Sequence, residues 1–375
     1  MDLRGYLRHL DYVVIAATAV LVVYGVAMIY FATRHDGLLN SFYYARYQIL
    51  YALVGVVAAF ILSLVDYERF RRWQWPLYAF AVVSIMAVFA LGPVTRGSRR
   101  WLELPFMRFQ PSELALVILL LALAAFLTDR LHLLGTWRVT VLAVLYVGVP
   151  AALVFAQPDL GTALVFGVLL LTLLLFYGTP WTHFAALFAA AAAGAIVVLE
   201  VLPLAGLRLI HEYQMQRLFV FLHPGQNPQT TGYNLTQSLI AVGSGSLTGR
   251  GNQATQTVLD FLPEHHTDFI FAVVGERYGF VGAAVLLGLF VILIWRALRI
   301  AMISRDLYGS MIAGGIAAML LFEVFVNVGM TIGIMPITGI PLPFVSYGGA
   351  ALITNLMLVG LLESVHLRGR LAGSV

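Results

Sequence analysis

The chain contains no cysteine and no lysine, and only 11% of its residues are charged. Missing cysteines exclude disulfides, thiolate nucleophiles and cysteine-ligated metals. Missing lysines exclude Schiff-base chemistry and lysine nucleophiles. All 22 basic residues are therefore arginines, whose planar guanidinium suits forked contacts with phosphate or carboxylate. There is no internal repeat at a fixed period and no low-complexity tail. What is abundant is apolar surface: 61% of residues are hydrophobic and mean hydropathy is +0.90. A water-soluble chain of 375 residues has no way to hide that much, because its exterior must face water. In a bilayer the exterior is apolar as well.

A hydrocarbon core of about 30 Å takes about 20 apolar residues to cross as a helix. Such runs recur at 11–33, 44–65, 75–92, 111–128, 139–156, 160–178, 181–202, 269–299, 308–333 and 345–366. The expectation is an all-α polytopic membrane protein, one domain over 1–375, with about ten transmembrane helices. Its one large loop, 203–268, lies between the seventh and eighth. The first run follows Arg4 and Arg8, but its apolar core from Val13 to Ala32 is too long for a signal-peptide h-region, so it reads as an anchor.

Arginine placement sets the expected orientation. With the N-terminus in the cytoplasm, the inside receives Arg4, Arg8, Arg69, Arg71, Arg72, Arg130, Arg138, Arg296, Arg299, Arg305, Arg368 and Arg370. An even number of crossings returns the C-terminus to the same side. The outer side should then be poor in arginine, yet Arg96, Arg99, Arg100 and Arg108 crowd thirteen residues after the third run, and Arg208, Arg217 and Arg250 sit in the long loop. Inverting the chain would export Arg69, Arg71, Arg72 and the 296–305 group, so we read the outer arginines as anion ligands. Contact with lipid phosphates is the plainer alternative.

Within the long loop, 206–223 alternates apolar residues with Arg208, His211, Glu212 and Arg217, the pattern of a helix lying in the interface plane. A shorter amphipathic stretch covers 234–242. The glycine-rich run 243–251 fits either a nest of anion-binding N–H groups or a hinge. The eighth run, 269–299, has 31 residues, about 46 Å as a helix. Either it tilts and projects, or its first turns line a cavity before the true crossing begins.

Ionisable groups at membrane depth are costly and default to function. Near the outer side these are Glu103, Glu113, Asp159, Asp260, Glu264, Asp268 and Glu276. Glu113, just after Pro111, suits either helix capping or substrate contact. Asp159 reads first as a cap. Glu323 and Asn327, one turn apart in the ninth run, read as a polar clamp between helices. Asp268 stands where the polar loop re-enters an apolar helix, a partly dehydrated position that moves a carboxylate toward the working range of a general base. His265 and His266 are adjacent, which is not a helical metal-ligand spacing, so no protein metal site is expected. Residues 338–349 carry two prolines and three glycines. Irregular backbone at this depth must be buried in protein or line a wet cavity, so the segment is expected to wall the site beside Asp268.

The segments Arg99–Trp101, Phe109–Glu113, Gln157–Thr162, Gly232–Gly251, Phe261–Gly279 and Gly333–Gly349 together resemble the SEDS family (shape, elongation, division and sporulation), and most of all its rod-elongation members. The resemblance implies a ten-helix fold in the cytoplasmic membrane. It implies a peptidoglycan glycosyltransferase that polymerises lipid II at the outer face during cell elongation. By the same resemblance Asp268 is the catalytic carboxylate, and Trp101 and Glu113 belong to the essential cavity. The implied partners are a class B penicillin-binding protein as transpeptidase, other elongation-complex membrane proteins and the surrounding lipids, with no nucleic acid. Two positions depart from the family pattern. Its usual lysine three residues after the Gln-Pro-Ser-Glu glutamate is Leu116, and its usual acidic pair before Tyr278-Gly279 is Glu276-Arg277.

The reaction that the resemblance implies is a sugar hydroxyl displacing a pyrophosphate at an anomeric carbon. Asp268 would act as base, with Arg217 and Arg250 leading among the pyrophosphate ligands and Arg99, Arg100 and Glu276 further candidates. An α-linked donor giving a β-linked product needs one inverting displacement and no enzyme nucleophile. No cofactor is required, although a divalent cation, Mg2+ or Mn2+, bridging pyrophosphate and carboxylate would fit. The rival from another class is a lipid II flippase, which would want charges along the whole bilayer depth and broken helices at the midplane.

Overall fold

The computed structural model describes residues 6, 9–34, 42–93, 99–104, 107–204, 206, 215, 217, 221, 232–256 and 261–373. Arg4, Arg8, Arg96, Arg208 and Asp260 lie outside the described residues. So does most of the amphipathic stretch 206–223, of which Gly206, Met215, Arg217 and Phe221 are described.

Among the described residues, ten helices are long and apolar enough to cross a membrane: α1 (Tyr12–Thr33), α2 (Tyr43–Leu64), α3 (Gln74–Leu91), α4 (Pro111–Thr128), α5 (Trp137–Ala156), α6 (Leu160–Tyr177), α7 (Trp181–Leu204), α9 (Ile270–Met302), α10 (Leu307–Thr331) and α11 (Gly349–Arg370). Between α7 and α9 the loop contributes α8 (Tyr233–Ser244). The molecule is thus a polytopic helical membrane protein. In lipid only a helix satisfies every backbone group within its own segment, so the ten apolar runs and the ten helices agree to within a few residues. The last is the exception, starting at Gly349 rather than near 345.

Polar residues fix the helix starts. Asp11 accepts from the N–H of Val13 and Val14 at the head of α1, Asp159 from Thr162 at α6, and Asp306 from Gly309 at α10. The centre of the bundle is α4, buried along nearly its whole length, with α10 and α11 beside it. α11 packs along α2, α10 against α9 and α6, and α3 against α4. By contrast α7 turns almost its entire surface outward. Both chain ends meet at one end of the bundle, where the Asp11 N–H donates to Glu363 (3.0 Å). The opposite end carries all the long connections.

Two features there were not foreseen. Leu102–Leu104 and Met107–Phe109 form a small antiparallel hairpin, β1 and β2, setting Glu103 opposite Arg108. α9 is also broken at Gly279, whose φ of 62° and ψ of −156° are not helical. The break leaves the N–H groups of Phe280 and Val281 without helical acceptors, and they donate instead to the carbonyls of Ser246 (2.9 Å) and Leu247 (3.0 Å). The glycine-rich run therefore serves neither as nest nor as hinge here: its backbone inserts into the kink. That approach needs glycine on both sides, since a Cβ on Gly249 would lie 2.1 Å from the Arg277 carbonyl and one on Gly279 would lie 2.5 Å from the Gly249 nitrogen. Before the kink, Ile270 to Arg277 are buried in protein; after it Phe280, Val281 and Val285 are exposed to the membrane. The long helix is thus two segments, the first of them enclosed by protein.

Candidate functional site

Asp268 ends a tight turn leading into α9 and is half-buried. Leu262, His265 and Phe269 anchor the turn in protein. The ring of His265 reaches the carbonyls of Leu262 (2.8 Å) and, at the end of α1, Ala32 (3.2 Å). The Thr267 hydroxyl donates to the Glu264 carboxylate (2.9 Å). His266 stacks against Tyr44 on α2, with ring centroids 4.7 Å apart, and Tyr44 in turn meets Tyr347 at 5.0 Å. Burial pushes the Tyr347 phenol above its ordinary value.

The irregular segment after α10 lies directly alongside this turn. The Tyr347 N–H donates to the His266 carbonyl (2.9 Å), the Ser346 hydroxyl to the Thr267 carbonyl (2.6 Å), and the Asn327 amide to the Asp268 carbonyl (2.9 Å). Gly339, with φ +77°, faces the side chains of both Asp268 and Arg217. A Cβ placed there would be 3.5 Å from Asp268 Oδ2 and 3.6 Å from Arg217 Nη1. A carboxylate and a guanidinium from opposite ends of the long loop thus face the same small patch of backbone, where Arg217 also donates to the Ile337 carbonyl (3.4 Å).

The other motifs meet the same wall. A Cβ on Gly161 would lie 2.7 Å from the Ile340 side chain, so the Gln157–Thr162 segment packs on it. Asp159 accepts from Thr162 N–H (3.3 Å) and hydroxyl (3.0 Å), and from the Gln110 amide (2.8 Å); it is a cap, and it ties α4 to α6. Glu113 lies in the first turn of α4, whose N-cap residue, Gln110, makes no side-chain capping hydrogen bond. Glu323 sits one turn along α10 from Asn327, about 6 Å deeper than the contact with Asp268. Leu116, in the place of the family's lysine, is buried in apolar core.

The remaining candidates occupy distinct places. Arg99 is exposed and donates to the Phe89 carbonyl (2.8 Å). Arg100 grips the carbonyls of Gln157 (3.1 Å) and Pro158, so it braces the Gln157–Asp159 turn. Trp101 is half-buried beside Gly92 at the start of the hairpin. Arg250 is exposed and reaches the Thr255 hydroxyl (3.4 Å). Glu276 is fully buried and accepts the N–H groups of Thr255 (2.7 Å) and Gln256 (2.9 Å), which anchors the loop returning from Arg250. Arg277, in the place of the family's second acid, donates to Asn252 (2.9 Å) and stacks 3.8 Å over the Phe31 ring. Gly339, Ser346 and Gln110 were not singled out from the sequence. All three carried a signal, Gly339 and Ser346 by sitting in the proline- and glycine-rich wall and Gln110 by opening the Gln-Pro-Ser-Glu motif. Among the described residues no group of three or more His, Asp or Glu side chains is placed to hold a metal ion.

Known proteins are similar to this chain over nearly its whole length. Residues 11–370 match the family model for FtsW, RodA and SpoVE, described as cell cycle protein. Peptidoglycan glycosyltransferase MrdB of Escherichia coli (strain K12) is 37% identical over 360 residues, covering 96% of this chain and 94% of that protein. Stage V sporulation protein E of Bacillus subtilis (strain 168) is 35% identical over 364 residues, 95% and 96% of the two chains. Among solved structures, a chain of a peptidoglycan synthase complex that coordinates polymerization and crosslinking aligns with TM-score 0.79 at 30% identity, covering 95% of this chain and 97% of that one. The rod shape determining protein RodA of Thermus thermophilus aligns with TM-score 0.69 at 29% identity, covering 95% and 96%. With the match running from the head of α1 to the end of α11, the chain belongs to the FtsW/RodA/SpoVE family of cell cycle proteins.

Proposed function

We propose that this protein, a peptidoglycan glycosyltransferase, builds glycan strands from lipid II with Asp268 as general base and Arg217 as the principal ligand of the departing pyrophosphate. The observation that carries the reading is the convergence of the Asp268 carboxylate and the Arg217 guanidinium on Gly339, 3.5 Å and 3.6 Å from the same point. A base and a leaving-group cation must face one small volume for a sugar hydroxyl to attack while pyrophosphate departs. Asp268 takes the proton of the acceptor hydroxyl. The oxygen attacks the anomeric carbon, the bond to pyrophosphate breaks, and forked charge-assisted hydrogen bonds stabilise the released anion. One displacement inverts the anomeric centre and leaves no covalent enzyme intermediate.

Arg250 and Arg99 are exposed at the same end of the bundle and extend the positive surface over which the pyrophosphate and membrane lipid phosphates lie. Trp101 and Glu113 border the substrate, with Glu276 and Arg100 holding the loops around it. This end faces outward and both termini face the cytoplasm, as the ten arginines from Arg69 to Arg370 at the terminal end favour. A divalent cation would arrive with the pyrophosphate. Mg2+ is commonly held by one or two carboxylates plus substrate phosphates, and Asp268 supplies a carboxylate in the required place. The elongation role, with a class B penicillin-binding protein and other elongation-complex membrane proteins as partners, is supported by the likeness to MrdB and to the chain of the synthase complex.

The test is purified protein with its penicillin-binding partner, a divalent cation and labelled lipid II, resolved on a gel for polymer. Wild type is expected to give polymer and Asp268→Ala none, with folding and partner binding retained. Normal polymer from Asp268→Ala would move the base elsewhere, Glu113 and Glu276 being next. Lipid scrambling without polymer from wild type would return the reading to a lipid II flippase.

A further inference from the structure

Three consecutive carbonyls of the Asp268 turn each accept one hydrogen bond from outside it. His266 accepts from Tyr347 N–H, Thr267 from the Ser346 hydroxyl and Asp268 from the Asn327 amide. The first two donors belong to the irregular wall. The third stands on α10, whose residues from Tyr308 to Thr331 are mostly buried, so it ties the turn to the buried centre of the bundle.

Asn327 does more than hold Asp268. The same amide nitrogen donates to the Ile340 carbonyl at 2.8 Å, and Ile340 follows Gly339, where the Asp268 carboxylate and Arg217 converge. One NH2 group therefore bridges the backbone bearing the carboxylate and the backbone of the wall it faces. A side-chain amide is the shortest group with two N–H donors on one atom. Aspartate of the same shape has none when ionised, and serine or threonine has one.

The rest of the residue argues against a generic packing role. Asn327 is fully buried, and its Oδ1 has no hydrogen-bond partner. A buried unsatisfied acceptor is a standing cost, and a leucine of similar volume would avoid it. The arrangement is coherent if both N–H bonds serve the site and the oxygen is tolerated as the remainder of the amide.

We infer that Asn327 is a positioning residue for the transfer reaction, setting the gap between the Asp268 carboxylate and the Gly339–Arg217 wall. The inference rests on Asp268 being the base. It predicts a fault in the chemical step rather than in substrate affinity, because misplacing a reacting group by about 1 Å can cost about 100-fold in rate, whereas loss of uniform binding raises KM alone.

The experiment uses full-length protein with its penicillin-binding partner and labelled lipid II, with kcat expressed per folded molecule by size-exclusion fluorescence. Asn327→Ala and Asn327→Ser leave similar space and differ by one hydroxyl donor. Expected are a fall in kcat of about 100-fold for alanine and about 10-fold for serine, with KM within about twofold of wild type. A role in folding alone would lower the folded fraction and leave kcat per folded molecule unchanged, and that result overturns the inference. If alanine does not fold, Asn327→Ser and the near-isosteric Asn327→Asp decide, and wild-type kcat from both overturns it. Asp268→Asn is measured in parallel. Full activity there removes Asp268 as base whatever Asn327 does, whereas an inactive Asp268→Asn beside a fully active Asn327→Ala removes only the positioning role.

Discussion

The two ends of the bundle treat arginine in opposite ways. At the end holding the termini, arginines meet carboxylates: Arg71 with Asp129 (2.7 Å), Arg305 with Glu68 (2.7 Å), Arg368 with Asp66 (3.4 Å) and Arg296 with Asp11. At the Asp268 end the described partners of Arg99, Arg250 and Arg277 are a carbonyl, a hydroxyl and an amide oxygen. A carboxylate cancels the charge it binds, whereas a neutral oxygen orients the guanidinium and leaves its charge in place. The first end uses arginine to join helices. At the second end these three guanidinium groups meet neutral oxygens that leave their charge uncancelled, which is in keeping with the proposed pyrophosphate site. Mutations at the two ends should then fail differently, one in catalysis and the other in stability.

The largest effect is expected at Asp268. Asp268→Asn keeps the shape and removes the proposed base, so polymer formation should drop by about 10²- to 10⁴-fold with thermal stability close to wild type. A variant that unfolds instead would make the carboxylate a structural group, and the contrast between the ends would be lost. Arg296→Ala tests the other side. Its partner Asp11 has a side chain only 1% exposed, caps α1 and receives the Arg296 Nε–H at 2.9 Å. Leaving that carboxylate buried and unpaired should destabilise by about 3–5 kcal/mol, read as a lower melting temperature, while kcat per folded molecule stays at the wild-type value.

Arg217→Ala should follow, with kcat falling about 10²-fold, the scale of losing one preorganised donor at a developing charge, and little change in melting temperature. Arg217→Lys keeps the charge but loses the fork, and should recover only part of the loss. Full recovery would mean that a point charge suffices and that the convergence on Gly339 is not bidentate recognition.

How far these roles could be read from the chain differs by level. The ten crossings were legible because apolar length decides them, and only the start of α11 was misjudged, where Leu342, Phe344 and Val345 are buried in irregular backbone that imitates a helix by composition. The cap at Asp159 was legible from its place before an apolar run. The hairpin 102–109 was not, since three-residue strands carry no period. The kink of α9 was half legible: length showed that the helix had two parts, but nothing local linked Gly279 to Gly249, because their contact is backbone on backbone. At the site, Asp268 and Arg217 were both singled out. Gly339 was seen only as one glycine in an irregular run, since its part depends on what two distant side chains do. Asn327 was recognised as a clamp, but what it clamps is a carbonyl about sixty residues away in sequence, and backbone acceptors leave no mark in a sequence.

The smallest expected effect sharpens the comparison most, because it separates ion pairing from burial. Arg71 and Asp129 join the turn after α2 to the end of α4 at the terminal end, with side chains 39% and 33% exposed; Gln74 also donates to Asp129 (3.0 Å). Solvent screens such a pair and ordering two side chains opposes it, so its coupling should be about 0–1 kcal/mol. A double-mutant cycle of Arg71→Ala and Asp129→Ala, read by melting temperature at low and high salt, measures that coupling directly. It should shrink as salt rises, and polymer yield should not change in any of the three variants. A coupling as large as the loss expected from Arg296→Ala would show that pairing itself holds the terminal end together. A small one assigns that stability to the desolvated Asp11 alone and leaves the exposed arginines to set orientation in the membrane.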